Sequence, residues 1–271
     1  MKQRPELLYL DLMKKTLSFA LWPEPPEPCC GRTPVNRFIV LAISKILDMW
    51  GLQLARKRNF SESERSEGRI WPGFADTMIG LKRLDNLHQC IETVLTEGVE
   101  GDLIETGVWR GGACILMRAV LAAYGIEDRR VFVADSFEGL PKPDAEKYPA
   151  DRNDIGHSQK YLIVSKEDVE KNFMKYGLLD NQVVFLKGWF KDTLPQAPIE
   201  KLSILRLDGD MYGSTMDSLE SLYPKLSSGG FCIIDDYALP GCKSAVNDFR
   251  SKHTIDSELK EIDWMGSYWR K

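Results

Sequence analysis

Apolar positions along the chain recur with two periods, and their alternation lays out the elements. In residues 1–21, Leu7, Leu8, Leu10, Leu12, Met13, Leu17 and Phe19 stand among charges, which predicts an amphipathic helix. The four prolines between Trp22 and Pro28 cannot continue it. Phe38 to Leu54 is the most apolar stretch, but Lys45 and Asp48 interrupt it. A membrane span wants about 20 nearly uncharged residues, so a helix packed on the core or on a second subunit is expected. Arg56-Lys57-Arg58 at its end leaves peripheral membrane contact as the alternative. Ser61 to Gly68 is polar and charged and predicts an exposed, mobile loop.

From Trp71 onward the rhythm is regular. Asp76 to Glu97 has helical spacing through Met78, Ile79, Leu81, Leu84, Leu87, Ile91, Val94 and Leu95. Asp102 to Thr106 predicts a strand, and Ala113 to Tyr124 a helix. Val131 to Ala134, Val183 to Leu186, Leu202 to Leu207 and Phe231 to Ile234 predict four more strands. Between them lie helices at Lys166 to Tyr176, closed by Gly177, and at Ser214 to Leu226, followed by a turn at Gly229-Gly230. A last helix runs from Ala245 to Lys252, and the tail to Trp269 predicts two final strands. Such alternation specifies an α/β fold with a doubly wound, mostly parallel sheet. Residues 71–271 form the expected domain, and residues 1–70 an N-terminal helical extension serving as lid or oligomer contact.

Each of the first five strands ends in acids or glycine: Glu105/Gly107, Asp135/Ser136, Gly188, Asp208/Asp210 and Asp235/Asp236. In an open parallel sheet these carboxyl ends face one crevice, where ligands bind. The first turn reads Glu-x-Gly-x-x-x-Gly-Gly (105–112), not the Gly-x-Gly-x-x-Gly of nicotinamide enzymes. Glycine allows a sharp turn and close approach to a ligand. An acid just before it suits a ligand carrying an ammonium, such as the methionine part of S-adenosylmethionine; an ordinary strand-to-helix turn is the plain alternative. Asp135 stands where a carboxylate accepts both hydroxyls of a ribose, or where a loop acid caps a helix.

Asp208, Asp235 and Asp236 form the sharpest constellation. Two neighbouring strand tips would bring them together, and three carboxylates repel unless a cation sits between them. Oxygen ligands without His or Cys suit Mg²⁺. Alternatively Asp210 and Asp236 cap the following helices, and Asp210 is expected as a cap or supporting residue. Of three histidines, His88 and His253 read as structural or solvated, whereas His157 lies in the long stretch Lys142 to Gln159 beside the crevice mouth and could move a proton.

The 271 residues can bury a sizeable core, and 43% hydrophobic with 28% charged residues belong to a globular chain. A net charge of -4, without a dense Lys/Arg block, argues against a nucleic-acid surface. Six cysteines have no zinc spacing, the vicinal Cys29-Cys30 reads as an incidental surface pair, and no signal pattern opens the chain, so a cytoplasmic location is expected.

Several long motifs then occur together and in order: Glu105 to Gly112, Ala134 to Pro141 (ADSFEGLP), Phe185 to Pro195 (FLKGWFKDTLP), Leu205 to Thr215 (LRLDGDMYGST) and Gly229 to Tyr237 (GGFCIIDDY). This set resembles the macrocin O-methyltransferase family, enzymes that methylate sugar hydroxyls on antibiotics. Thr77-Met78-Ile79-Gly80 and the Trp264 to Trp269 ending are similar too, and the likeness reaches the N-terminus through Leu8 to Leu12. The resemblance implies a Rossmann-like class I methyltransferase using S-adenosylmethionine, held by Glu105, Gly107, Asp135 and Ser136, with Gly188, Trp189 and Phe190 near the adenine. Met78, Trp109, Gly111 and Asp208 complete the expected cofactor contacts. It further implies Mg²⁺ on Asp208, Asp235 and Asp236, with His157 as the lid histidine and Asp208 as the other catalytic candidate. A small glycosylated acceptor is expected, with no nucleic acid, no integral membrane span, and a homo-oligomer. Segment 22–70 departs from the pattern, which bears on the identity of the acceptor. Methylation of a catechol or another small vicinal diol, a non-catalytic cofactor-binding scaffold, and a nicotinamide enzyme are the rival readings.

Overall fold

The computed structural model describes residues 4–23, 27–28, 34–57, 60–70 and 73–271. The expected strands appear as β1 (Asp102–Thr106), β2 (Val131–Asp135), β3 (Val183–Lys187), β4 (Leu202–Leu207), β5 (Leu226–Ile234), β6 (Lys260–Glu261) and β7 (Ser267–Arg270). They form one sheet in the order β3–β2–β1–β4–β5–β7–β6. The first five strands are parallel, and β7 runs antiparallel to both its neighbours. The order reverses between β1 and β4, so their tips border the crevice where an open sheet takes ligands.

Helices cover both faces. Leu103, Val133, Ile204 and Ile233 pack under α4 (Leu81–Thr96), α5 (Gly112–Ala123) and α6 (Lys166–Lys175). Ile104, Phe132, Leu205 and Ile234 pack under α8 (Tyr212–Leu222) and α9 (Pro240–Lys252), with the short α7 (Phe190–Thr193) beside α8. Because both faces are covered, the strands read as nearly continuous apolar runs. The N-terminal helix α1 (Pro5–Leu17) joins the first layer, with Leu10, Met13 and Leu17 in the core.

Four expectations change. The helix expected over Phe38 to Leu54 is α2 (Pro34–Asp48), and it does not pack on the core: Phe38, Leu41 and Ile46 are all more than half exposed. The polar stretch at 61–68 is not a plain loop, because it holds α3 (Glu62–Ser66), whose Ser61/Glu64 pair forms a capping box. The helix expected from Asp76 begins only at Leu81, since 73–80 is drawn over the start of α5: Arg110 donates to the carbonyls of Gly73 and Ala75, and the Gly112 N–H to that of Asp76. Finally, Gly229-Gly230 is no turn between elements. α8 ends at Leu222, a short turn through Pro224 follows, and both glycines lie inside β5 opposite a register shift on β4. Gly229 at φ +85° takes up that irregularity. Cys29 and Cys30 lie outside the described residues.

Among the described residues no helix is long and apolar enough to cross a membrane.

Candidate active site

The strand tips open into a cavity of about 590 Å³. Glu105, Gly107, Trp109, Asp135, Ser136, Gly188, Trp189, Phe190, Asp208, Asp235 and Asp236 all line it, as does Met78. Gly107 makes the closest approach: at φ +88°, a Cβ there would lie 1.7 Å from the Asp208 carbonyl oxygen. Gly111, at φ +86°, starts α5 and packs under Val169 and Phe173 without lining the cavity. Trp109 and Asp210 hold positive φ without being glycine (46° and 57°), strain that gathers where strand-end loops are over-determined by their surroundings.

At the β1 and β2 tips the acids hold the loops. Both Asp135 oxygens accept backbone N–H groups, from Val108 (2.8 Å) and Phe137 (2.7 Å). Burial raises its pKa, and these bonds oppose the shift. As a carboxylate, with about four acceptor sites, Asp135 has capacity beyond these two bonds for a ligand hydroxyl. The Ser136 hydroxyl is engaged in its own turn, donating to Gly139 and accepting from Glu138.

Two arginines organise the acids. Arg206, only 1% exposed, reaches Glu105 and Asp235 and donates to Asp208 at 2.9 Å. Arg83, in the first turn of α4, joins Asp235 to Asp263. Sequence reasoning missed both arginines and Asp263. The available signal was Arg206 itself, a lone charge in an apolar run buried on both faces. Even with this compensation the pocket is strongly acidic. Burial first, then the neighbouring carboxylates, push Asp208 up to about 6, Asp210 up to about 7 and Asp236 well above the usual range. Burial likewise lifts Glu105 to about 7 against the pull of Arg206.

Carboxylate oxygens of Asp208, Asp235 and Asp236 lie within 4.8 Å of one another. An all-oxygen donor set with excess negative charge fits a hard divalent ion. Asp210 is not the helix cap that was expected. α8 receives no side-chain cap from its own N-terminus; instead Asp151, from the loop after β2, accepts the N–H groups of Tyr212 (2.7 Å) and Gly213 (3.0 Å). The Asp210 carboxylate thus lines the cavity with no side-chain hydrogen bond or ion pair among the described residues, close to Asp208, Asp236 and Asp154. His157 sits on an exposed turn (Gly156–Ser158); Asp154, Ile155, Gly156 and Gln159 beside it line the cavity, but its imidazole does not.

Residues 6–271 match the family described as Macrocin-O-methyltransferase (TylF). The chain belongs to the macrocin O-methyltransferase family. It is 49% identical over 264 residues to the 8-demethyl-8-(2,3-dimethoxy-alpha-L-rhamnosyl)-tetracenomycin-C 4'-O-methyltransferase of Streptomyces olivaceus, covering 97% of this chain and 92% of that one. It is 47% identical over 267 residues to the mycinamicin III 3''-O-methyltransferase of Micromonospora griseorubida, covering 97% and 96%. The solved structure of the O-methyltransferase NovP superposes with a TM-score of 0.85 at 47% identity, covering 98% of this chain and 99% of NovP. Membership makes the chain an O-methyltransferase of the Rossmann-like class I fold, as the motifs implied. The family's motifs are the strand tips just described. Beyond the strand tips, the cavity wall includes residues of the loop after β2 and of segments near 68, 79 and 264.

Proposed function

We propose that this enzyme moves the methyl group of S-adenosylmethionine to a hydroxyl of a deoxysugar on a glycosylated natural product, with Mg²⁺ held by Asp208, Asp235 and Asp236. The observation that carries the reading is one cavity joining the glycine turn after β1, the carboxylate at the β2 tip and three acids with oxygens within 4.8 Å of one another. Glu105, Gly107, Trp109, Asp135, Ser136, Gly188, Trp189 and Phe190 would hold the methyl donor, with Met78 bounding it and Gly111 setting the turn. Mg²⁺, when bound, supplies the positive charge that lowers the pKa of a neighbouring sugar hydroxyl.

The chain's own residues do the rest. Asp210 is the base this geometry favours, because it lines the cavity with no side-chain partner among the described residues; Asp208 is engaged by Arg206, and His157 lies on an exposed turn outside the lining. The covering loops exclude water and align the acceptor oxygen with the sulfonium methyl, and alignment supplies up to about 7–11 kcal/mol in favourable cases. Among the described residues, ten carboxylates and four cationic side chains line the cavity, which favours a neutral finished glycoside over a phosphorylated sugar. We further place the protein in the cytoplasm as a homo-oligomer, supported by the exposed apolar side chains of α2, with residues 1–70 as the covering and contact region.

The test is incubation with S-adenosylmethionine, Mg²⁺ and a panel of demethylated deoxysugar glycosides, read by mass spectrometry. A product heavier by one methylene, with stoichiometric S-adenosylhomocysteine, supports the reading. Methylation confined to catechols overturns the acceptor class. Binding of the donor without turnover of any acceptor makes the protein a scaffold.

A further inference from the structure

The turn between β6 and β7 has no part in the reading above, yet it is built firmly into the cavity wall. The Asp263 side chain is wholly buried; its Oδ1 accepts the N–H groups of Met265 (2.9 Å) and Gly266 (2.8 Å), and its Oδ2 accepts from Arg83 Nε (3.0 Å). The Ala238 N–H donates to the Met265 carbonyl at 3.0 Å. Trp264 Nε1 donates to the Glu67 carbonyl at 2.8 Å, and the Arg69 guanidinium stands 4.9 Å from the indole ring. Trp264 and Met265 line the cavity, whereas Arg69 does not. Trp264 nevertheless remains 39% exposed. A large aromatic side chain held by a hydrogen bond and a stacked guanidinium, part-exposed and lining a cavity, is preorganised for an apolar ligand face.

We propose that Trp264 is an acceptor-binding and specificity-determining residue, its ring packing against the C–H face of the sugar. Arg83 touches both Asp263 and Asp235, so a single guanidinium separates this wall from the acids. A sugar resting on Trp264 turns its hydroxyls towards Asp208, Asp210 and Asp236. The proposal rests on the sugar-acceptor reading and adds the surface that selects the sugar.

The probe is 4-nitrophenyl α-L-rhamnopyranoside, a neutral deoxysugar glycoside with a vicinal diol. Its binding to the full chain, saturated with S-adenosylhomocysteine and Mg²⁺, is followed by saturation-transfer NMR. Wild-type protein should saturate the ring C–H protons, and Trp264→Ala should raise the apparent Kd about tenfold. Trp264→Phe keeps a flat ring but cannot donate to Glu67, and should stay within about threefold of wild type. S-adenosylhomocysteine affinity within about twofold in both variants shows that the fold is kept. Equal Kd for Trp264→Ala and wild type overturns the proposal. Equal losses in the Ala and Phe variants also overturn it, because they reduce Trp264 to a tether for residues near 67. Absence of saturation transfer in wild type, together with no methylation of any glycoside, removes the sugar-acceptor reading itself and this proposal with it.

Discussion

Arg206 on β4 lies directly opposite Glu105 on β1, and the two buried side chains share an ion pair across the strands. Asp235 takes the other side of the same guanidinium. Removing one partner from a buried pair leaves charge without compensation, which costs about 3–5 kcal/mol. Arg206→Leu is therefore expected to lose that much stability in urea unfolding, even though leucine suits the strand.

Gly107→Ala is expected to damage donor binding rather than the core. The position combines φ +88° with a Cβ that would overlap the Asp208 carbonyl, so the β1 turn must move. Calorimetry with S-adenosylhomocysteine should show affinity weakened by more than about tenfold. Unchanged affinity would mean that this turn does not touch the donor.

Protonation links the site to stability. The folded-state pKa values of Asp208, Glu105 and Asp210 rise to about 6, about 7 and about 7, because burial disfavours their charged forms. Their unfolded values lie near 4. A raised acid stabilises the fold most below its unfolded pKa, and that contribution is lost as pH rises through the folded value. Metal-free protein should thus lose Tm between about pH 4 and pH 7, by about 2–4 °C for each kcal/mol. Mg²⁺ should restore more Tm at pH 8 than at pH 5.5, because fewer protons then compete for the carboxylates. An equal Tm gain at both pH values would argue against binding at these acids.

The candidate bases separate cleanly by mutation. Asp210→Asn should lower kcat by about 100- to 10,000-fold while leaving S-adenosylhomocysteine affinity nearly unchanged. His157→Gln, altering an exposed turn, should leave kcat within about twofold on the usual scale of surface substitutions. The reverse pattern would return the role to the lid histidine.

The strand tips were legible in the sequence because each apolar run ends abruptly in an acid or glycine, and the topology needs only alternation to bring such ends together. Glu105, Asp135, Asp208, Asp235 and Asp236 all reach the expected cavity for that reason. What escaped depends on partners distant in the chain. Arg206 meets Glu105 across 101 residues, and Asp151 caps α8 from 61 residues away, which releases Asp210 from the capping role its position suggested. His157 rested on its loop location and on the resemblance to the family's lid histidine, and the loop sets it on an exposed turn beside the lining rather than in it. At Gly229-Gly230 the usual meaning of paired glycines failed because the strand absorbed them as an irregularity.

Two of the segments around the cavity are each tied down by an indole nitrogen: Trp109 holds the Tyr161 carbonyl, and Trp264 that of Glu67. Neither bond draws on the acidic centre. New acceptors are therefore within reach of insertions and exchanges in these surface pieces, and the chemistry beneath can be inherited intact while the guest changes.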